Sequence, residues 1–110
     1  MRKVVGRILR DLDLEVVEAC NGSEAIEVLG KESVDIVFTD LVMPQMDGFE
    51  LCEEIRRRPD MRDLPIVVIS THRDAHYLIQ ALRCGADDYL TKPFTAVSAQ
   101  RVIERTMSNV

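Results

Sequence analysis

The stretch Val34-Asp35-Ile36-Val37-Phe38-Thr39 is nearly continuous in apolar character, and it ends at Asp40. A run of this kind is typical of a strand that is covered on both faces, as in a parallel sheet. Ile66-Val67-Val68-Ile69 repeats the pattern and is followed by Ser70. We therefore predict two buried strands, each with a polar residue at its carboxyl end.

Helical and strand patterns alternate along the rest of the chain. The pair Asn21 and Glu24 resembles a capping box at the start of one helix, and Asp47 with Glu50 resembles a second. Further signals predict a helix after Thr71 and Asp74 that ends near Gly85, a short strand at 89–91 before Lys92-Pro93, and a last helix that carries Val97, Val102, Ile103 and Met107. This alternation predicts βαβ units and a doubly wound parallel sheet.

The amino-terminal segment has a different pattern. Apolar residues recur there at helical spacing, at Val4, Val5, Ile8, Leu9 and Leu12. The segment 14–19 is short and β-branched, as strands are. We therefore expect the chain to open in a helix and to enter its first strand only afterwards.

Length and composition limit the class of protein. The 110 residues suit a single domain, 1–110, and 46% hydrophobic with 30% charged residues is ordinary for a globular protein. We expect no membrane span, because no apolar run is long enough, and a cytoplasmic location, because no signal peptide is recognisable. The net charge of -5 argues against nucleic-acid binding by this domain.

Several other residues have a structural interpretation. We expect Arg56-Arg57-Arg58 to form a solvated helix end, where cations suit the helix dipole. Cys20, Cys52 and Cys84 fit buried small side chains in a reducing compartment and indicate neither disulfides nor zinc. His72 and His76 have no acidic or Cys partner at ligand spacing, so we expect both to be exposed to solvent.

Chemistry in such a sheet is expected at the carboxyl ends of the strands. Asp40, Ser70 and Lys92 follow three consecutive strands of this kind. Taken singly, the acid has an alternative role as a helix cap and the lysine as a surface residue. Together they suit phosphoryl chemistry, because a carboxylate can attack phosphorus while an ammonium and a hydroxyl stabilise the phosphoryl oxygens.

Three segments carry a resemblance to a known family. They are FTDLVMPQMDG at 38–48, LPIVVIS at 64–70 and GADDYLTKPF at 85–94. In this order and at this spacing they resemble the signature segments of response-regulator receiver domains of two-component signalling, a match that spans essentially the whole chain. The resemblance implies a flavodoxin-like fold with the strand order 2-1-3-4-5.

The resemblance also implies a role for each matching residue. Asp40 corresponds to the phosphoacceptor, and Val42 to the residue whose backbone carbonyl binds Mg²⁺ together with Asp40. Ser70 corresponds to the switch hydroxyl, Lys92 to the cation that contacts the phosphoryl group and Tyr89 to the aromatic switch residue. The Lys92-Pro93 bond is expected to be cis. The implied partners are a histidine kinase as phosphoryl donor and a downstream output protein or domain.

Two features of the family are missing from the sequence. Receiver domains begin with a short apolar strand and an acidic pair that helps to hold Mg²⁺, whereas this sequence opens with the pattern of the first helix and has no convincing substitute pair. Loss of about four buried aliphatic side chains would cost ~6–12 kcal/mol. We therefore expect a truncated chain whose sheet either moves its neighbouring strands together or is completed by a homodimer or strand exchange, and a Mg²⁺ site of doubtful occupancy.

Three functions follow from these observations. The first is a phosphoacceptor receiver that takes a phosphoryl group on Asp40 and changes a partner-binding surface. The second is an interaction or dimerisation module that keeps the fold and works without phosphorylation. The third, a phosphatase with an aspartate nucleophile, is disfavoured because Val42 stands where such enzymes carry a second acid. We do not expect an enzyme beyond catalysis of the chain's own phosphoryl transfer.

Overall fold

A computed structural model describes residues 3–5, 15–17, 22–40, 48–71 and 74–107. Within these residues the chain alternates between strands and helices, as the periodicity predicted. The elements are β1 (Lys3–Val5), β2 (Glu15–Val17), α1 (Gly22–Lys31), β3 (Ile36–Asp40), α2 (Gly48–Arg57), β4 (Ile66–Ser70), α3 (Ala75–Arg83), β5 (Asp88–Thr91) and α4 (Ala96–Met107).

The strands form one five-stranded sheet in the order β2-β1-β3-β4-β5. Every neighbouring pair is parallel, so all the carboxyl ends lie at one edge of the sheet. The predicted doubly wound, flavodoxin-like fold and its strand order are thereby confirmed. Parallel strands need helical crossovers, which explains the alternation along the chain.

The predicted helical assignment of Val4 and Val5 is wrong, and the sheet is rearranged at the place of the missing strand. Lys3–Val5 forms β1 and pairs on one side with β2 and on the other with β3, so the expected gap between those strands is filled by this chain itself. A three-residue segment is too short for periodicity to separate helix from strand, and Val4 and Val5 favour a strand because they are β-branched. Because β1 pairs on both sides, it supplies hydrogen-bond partners for the backbone N–H and C=O groups of β2 and β3 that would otherwise be unpaired. Ile8, Leu9 and Leu12 of the predicted helix lie outside the described residues.

Side chains of β3 and β4 alternate between two hydrophobic cores. Val37, Ile66 and Val68 pack on the face covered by α1, α2 and α3, with Leu51, Cys52, Ile55 and Ala81 among the buried residues contributed by helices and loops. Phe38, Val67 and Ile69 pack with Ile36 and Leu90 on the opposite face, against Ala99, Val102 and Ile103 of α4. The full burial of β4 on both faces confirms the interpretation of its apolar run.

The basic run at the end of α2 has two different roles. Arg57 and Arg58 are exposed and pair with Glu54, as expected for a solvated helix end. Arg56 instead points inward, and for this residue the prediction is wrong. Its guanidinium donates hydrogen bonds to the carbonyls of Gly85, Arg62 and Leu64 at 2.8, 2.8 and 2.6 Å and to Asp87 Oδ2 at 2.9 Å.

Asp87 completes this arrangement, which we call the Arg56–Asp87 clamp. The Ile66 N–H donates to Asp87 Oδ2 at 2.9 Å, and the Asp87 N–H donates to the Ile66 carbonyl at 2.8 Å. One guanidinium therefore joins the end of α2, the start of β4 and the turn that leads into β5. A bidentate or multidentate arrangement of this kind is a use of Arg that Lys cannot reproduce.

The remaining structural predictions have mixed outcomes. α3 follows Asp74 at its N-cap, but the Asp74 side chain makes no capping hydrogen bond. His76 is exposed, as expected, and Cys52 is buried with a free thiol, whereas Cys84 is only half-buried. Asn21, Asp47, Cys20 and His72 lie outside the described residues. No helix among the described residues is long and apolar enough to cross a bilayer.

The turn after α3 depends on the glycine at position 85. Gly85 has a φ of 108°, and a Cβ added there would lie 2.5 Å from Arg56 Cγ. We expect Gly85→Ala to lower the free energy of unfolding by about 1–3 kcal/mol, because it adds backbone strain and displaces the clamp. The matched control is Gly30→Ala in α1, where an added Cβ meets nothing within 4 Å and a gain of up to about 1 kcal/mol is expected. Both variants are measured by urea denaturation, and an equal loss of free energy of unfolding in the two would contradict this account.

The buried thiol of Cys52 makes the stability of the fold depend on pH in the alkaline range. Burial raises the pKa of Cys52 from 9.0 to about 12. Because the folded pKa is the higher one, the folded state holds the proton that the unfolded chain loses above pH 9, so stability is complete below pH 9 and falls as the pH rises toward 12. When the pH is raised from 8 to 10, we expect the free energy of unfolding of Cys52→Ala to fall by roughly 1.4 kcal/mol less than that of the wild type, as measured by urea denaturation. Equal losses in the two proteins would show that Cys52 does not set this limit.

Candidate functional site

Three predicted site residues meet at the carboxyl edge of the sheet. Asp40 is the last residue of β3, Ser70 is the last residue of β4, and Lys92 directly follows β5. The register places Asp40 beside Ile69 and Ser70 beside Thr91, so the three strand ends are level with one another. The sheet thus gathers residues that are up to 52 positions apart in the sequence.

Asp40 and Lys92 form an ion pair across the end of β4. Lys92 Nζ donates to Asp40 Oδ1 at 2.6 Å, and the side chains of Asp40 and Lys92 are 39% and 34% exposed. Alternation explains the contact, because Phe38 and Leu90 lie on the α4 face of the sheet and Asp40 and Lys92 each stand two positions further along. The carboxylate therefore meets a cation at a position that solvent and small ions can reach.

Ser70 lies between the two partners on the other face of the sheet. Its residue is buried, and its backbone carbonyl accepts the Lys92 N–H at 2.8 Å. This hydrogen bond continues the β4–β5 ladder beyond Thr91 and fixes the backbone of Lys92 against the end of β4. Ser70 thus lies next to the ion pair, because β4 runs between β3, which ends at Asp40, and β5, which leads to Lys92.

Tyr89 belongs to the same strand as the site but not to its edge. It pairs with Val68, two positions before the pair of Ser70 and Thr91, and its half-buried ring packs against the core on the α1–α3 face. Tyr89 and Ser70 therefore share one face of the sheet, as the predicted switch pair requires. The Lys92-Pro93 bond is cis, as predicted. Val42 lies outside the described residues.

Of the two residues that the resemblance assigned to Mg²⁺, Asp40 lies among the described residues and Val42 does not. Magnesium prefers six oxygen ligands in octahedral geometry and is usually bound through one or two carboxylates with waters. Among the described residues no group of three or more Asp, Glu, His or Cys side chains could hold a metal ion. Asp40 supplies a carboxylate whose Oδ1 already accepts the Lys92 ammonium. One carboxylate with waters is within the usual range of Mg²⁺ sites, so Asp40 would be the ligand that the described residues supply.

The sequence alone did not reveal two neighbours of the site or the Arg56–Asp87 clamp. Thr39 donates from Oγ1 to the Asp40 carbonyl at 3.1 Å, and Thr91 pairs with Ser70. Each threonine directly precedes a predicted site residue, which is the sequence signal that could have identified it. The clamp lies at the other ends of β4 and β5, and its signal is an acid placed directly before a strand.

Comparison with known proteins agrees with this geometry. Residues 1–104 match the response regulator receiver domain family. The chain is 34% identical over 106 residues to the chemotaxis protein CheY-3 of Vibrio cholerae, covering 96% of this chain and 82% of that protein. It spans less than half the length of other curated relatives, such as the probable transcriptional regulator ycf27 of Cyanidium caldarium, of which it covers 43%.

Solved structures show the same fold. A response regulator structure from Chloroflexus aurantiacus superposes with a TM-score of 0.89 at 26% identity, covering 97% of each chain. The receiver domain of the sensor histidine kinase PA1611 from Pseudomonas aeruginosa, a structure with a magnesium ion coordinated in its active site cleft, has a TM-score of 0.86 at 24% identity, covering 97% of this chain and 98% of that one. The family match over nearly the whole chain, together with the strand order and the edge residues, shows that this chain belongs to the response regulator receiver domain family.

Proposed function

We propose that Asp40 is the phosphoacceptor of this receiver domain and that a histidine kinase is its physiological phosphoryl donor. The observation that carries the proposal is the ion pair of Asp40 and Lys92 at the carboxyl edge of the sheet, beside Ser70. A carboxylate that is 39% exposed can be reached by a donor, and the Lys92 ammonium in contact with it is placed to meet the incoming phosphoryl oxygens. Membership of the receiver family supports the same role.

In the chemical step the Asp40 carboxylate is the nucleophile. An Asp40 carboxylate oxygen attacks the phosphorus of the donor, a new O–P bond forms, and the bond from phosphorus to the donor nitrogen breaks. The electron pair of that bond leaves with the donor histidine, which takes up a proton from solvent. The Lys92 ammonium and the Ser70 hydroxyl are the groups proposed to stabilise the phosphoryl oxygens, and the chain acts only on itself.

Phosphorylation changes the charge that Lys92 faces, which provides the proposed switch. A phosphoryl group on Asp40 adds about -1.5 to -2 charges and several strong acceptors beside Ser70 and Lys92. We propose that the Ser70 side chain turns toward the phosphoryl group and that Tyr89, on the same face of the sheet, repacks with it. α3 lies on that face, so its outer surface is the proposed place where a downstream output protein or domain detects the change.

The proposed setting is a cytoplasmic signalling pathway. The free thiols of Cys52 and Cys84 suit a reducing compartment, and histidine kinases that phosphorylate receivers act there. Among the curated relatives are transcriptional regulators longer than this chain, so an output domain elsewhere in the same protein and a separate output protein are both compatible with this role. The proposal assigns no nucleic-acid binding to the receiver itself.

The phosphoacceptor can be identified by intact mass. We expect the wild type to gain the mass of one phosphoryl group from acetyl phosphate, and Asp40→Asn to gain none, because the amide is a poor nucleophile. The matched control is Asp60→Asn, which removes an exposed acid in the loop between α2 and β4 and should label as the wild type does. Labelling that persists in Asp40→Asn would show that another residue accepts the phosphoryl group.

A second function is favoured by one observation on α3. Leu78, Ile79 and Leu82 are 40%, 48% and 48% exposed and lie on one side of this helix, an arrangement that we call the α3 stripe. Contiguous exposed apolar residues often mark interaction surfaces. The alternative proposal is therefore an interaction or dimerisation module that uses the α3 stripe without phosphorylation.

The dimer form of this alternative is tested by molar mass in solution. If it is correct, light scattering gives a dimer for the unphosphorylated wild type and a monomer for Leu82→Glu, because a charge would be buried in the interface. Gln80→Glu is the matched control, since it adds the same charge at an exposed position of α3 outside the stripe and should stay dimeric. A wild type that remains monomeric as concentration rises would contradict constitutive dimerisation.

A further inference from the structure

A groove lies at the amino edge of the sheet, opposite to the edge that carries Asp40. Its lining comes from the end of α1, the residues before β3 and the loop between α2 and β4. The apolar part of the lining is Leu29, Val34, Met61 and Leu64, which belong to or pack against the core on the α1–α3 face. We call this cavity of about 260 Å³ the amino-edge groove.

The loop that lines one side of the groove is held in place by the Arg56–Asp87 clamp. Arg56 donates to the carbonyls of Arg62 and Leu64 at 2.8 and 2.6 Å. The loop also turns tightly, because the Met61 N–H donates to the Arg58 carbonyl and the Leu64 N–H to the Met61 carbonyl, each at 3.1 Å. The groove is therefore formed before a partner arrives, and binding there requires little ordering of the loop.

The charged part of the lining has a single sign. Glu32, Asp60 and Asp63 contribute carboxylates, and no Lys, Arg or His of the described residues is part of the lining. Asp60 and Asp63 are exposed and form no ion pair with any residue that the structure describes, whereas Glu54 on α2 pairs with two arginines. Carboxylates that lie close together repel one another, so a cation placed among them is favoured.

The apolar and the acidic parts of the lining fit one kind of side chain. An arginine has an aliphatic stem that packs on apolar surface and a guanidinium that binds carboxylates through paired hydrogen bonds. Lysine has the same charge but cannot form the paired hydrogen bonds. A cavity of about 260 Å³ lies at the small end of the range for ligand sites and suits one such side chain.

We propose that the amino-edge groove binds a segment of a partner protein through an arginine that is flanked by apolar residues. Charge complementarity with the acidic lining is the basis of the proposal. It does not rest on the phosphoacceptor function of Asp40, because the five residues of β3 separate the groove from the carboxyl edge. The surface is also distinct from the α3 stripe, since no residue of the stripe lines the groove.

The proposal is tested by NMR titration of the ¹⁵N-labelled full chain with a model peptide. The probe is alanine-leucine-arginine-leucine-alanine with blocked ends, and the control peptide has glutamate in place of arginine. We expect the arginine peptide to give saturating shifts of the backbone amides of Leu29, Val34 and Leu64 with a Kd on the order of 1 mM. The glutamate peptide should give none.

Two double variants separate the groove from general attraction by a negative protein. Asp60→Asn combined with Asp63→Asn keeps the shape of both side chains and should weaken binding of the arginine peptide on the order of 10-fold. The matched control is Glu27→Gln combined with Glu53→Gln, which removes the same charge from exposed positions of α1 and α2 outside the groove. It should change the Kd by less than about twofold.

Several results would overturn the inference. They are an equal loss of affinity in the two double variants, binding of the glutamate peptide, and shifts of the groove amides that do not saturate. Methylguanidinium that binds as tightly as the arginine peptide would assign the groove to a small cation. The same shifts on raising the protein concentration alone would assign it to a second copy of the chain, and either assignment excludes a partner segment as the occupant.

Discussion

Burial of β4 on both faces is the constraint on which the rest of the structure depends. All five residues of Ile66–Ser70 are buried, and their alternation supplies apolar side chains to both cores of the domain. A strand in this position has its backbone groups paired on both sides, with β3 and β5. Burying its apolar surface contributes about 1.5–3 kcal/mol for each large aliphatic side chain. The placement of β3 and β5 against this strand then decides which residues meet at its ends.

The two ends of the β4–β5 pair have different chemistry. At the amino end, the Arg56–Asp87 clamp fixes the start of each strand with hydrogen bonds of 2.6–2.9 Å. At the carboxyl end, the Ser70 carbonyl accepts the Lys92 N–H, and Lys92 reaches Asp40. A shift of one residue in a strand would turn its side chains to the opposite face, so the clamp and the Lys92 hydrogen bond both protect the site. The polar clamp is structural, whereas the exposed ion pair is available for chemistry.

The carboxyl edge of the sheet brings Asp40 and Lys92, two residues of the receiver pattern, into contact. The described residues there offer one carboxylate with one ammonium in contact, and Val42, the other residue assigned to Mg²⁺ by the resemblance, lies outside them. A neutral pair of this kind stabilises the fold little where it is partly exposed to water. In the proposed function its importance is chemical, because the ammonium would lie where negative charge accumulates during phosphoryl transfer.

The sequence by itself determined the fold class, the buried strands and the position of Asp40, Ser70 and Lys92 at one edge of the sheet. These features follow from local periodicity and from the rule that parallel strands present their carboxyl ends at one edge. Tertiary structure alone decided that Lys3–Val5 is a strand, because three residues carry no periodicity and the pairing of β2 and β3 on either side determines their conformation.

The same reasoning separates Arg56 from Arg57 and Arg58. A basic run at the end of a helix predicts solvated cations, and nothing local in the three arginines identifies the one that turns inward. Only the folded chain brings Asp87 and the carbonyls of Gly85 and Leu64 within reach of Arg56, from positions 31, 29 and 8 residues away. Residue type and spacing thus determined which polar residues follow the strands, while long-range packing decided which charges meet.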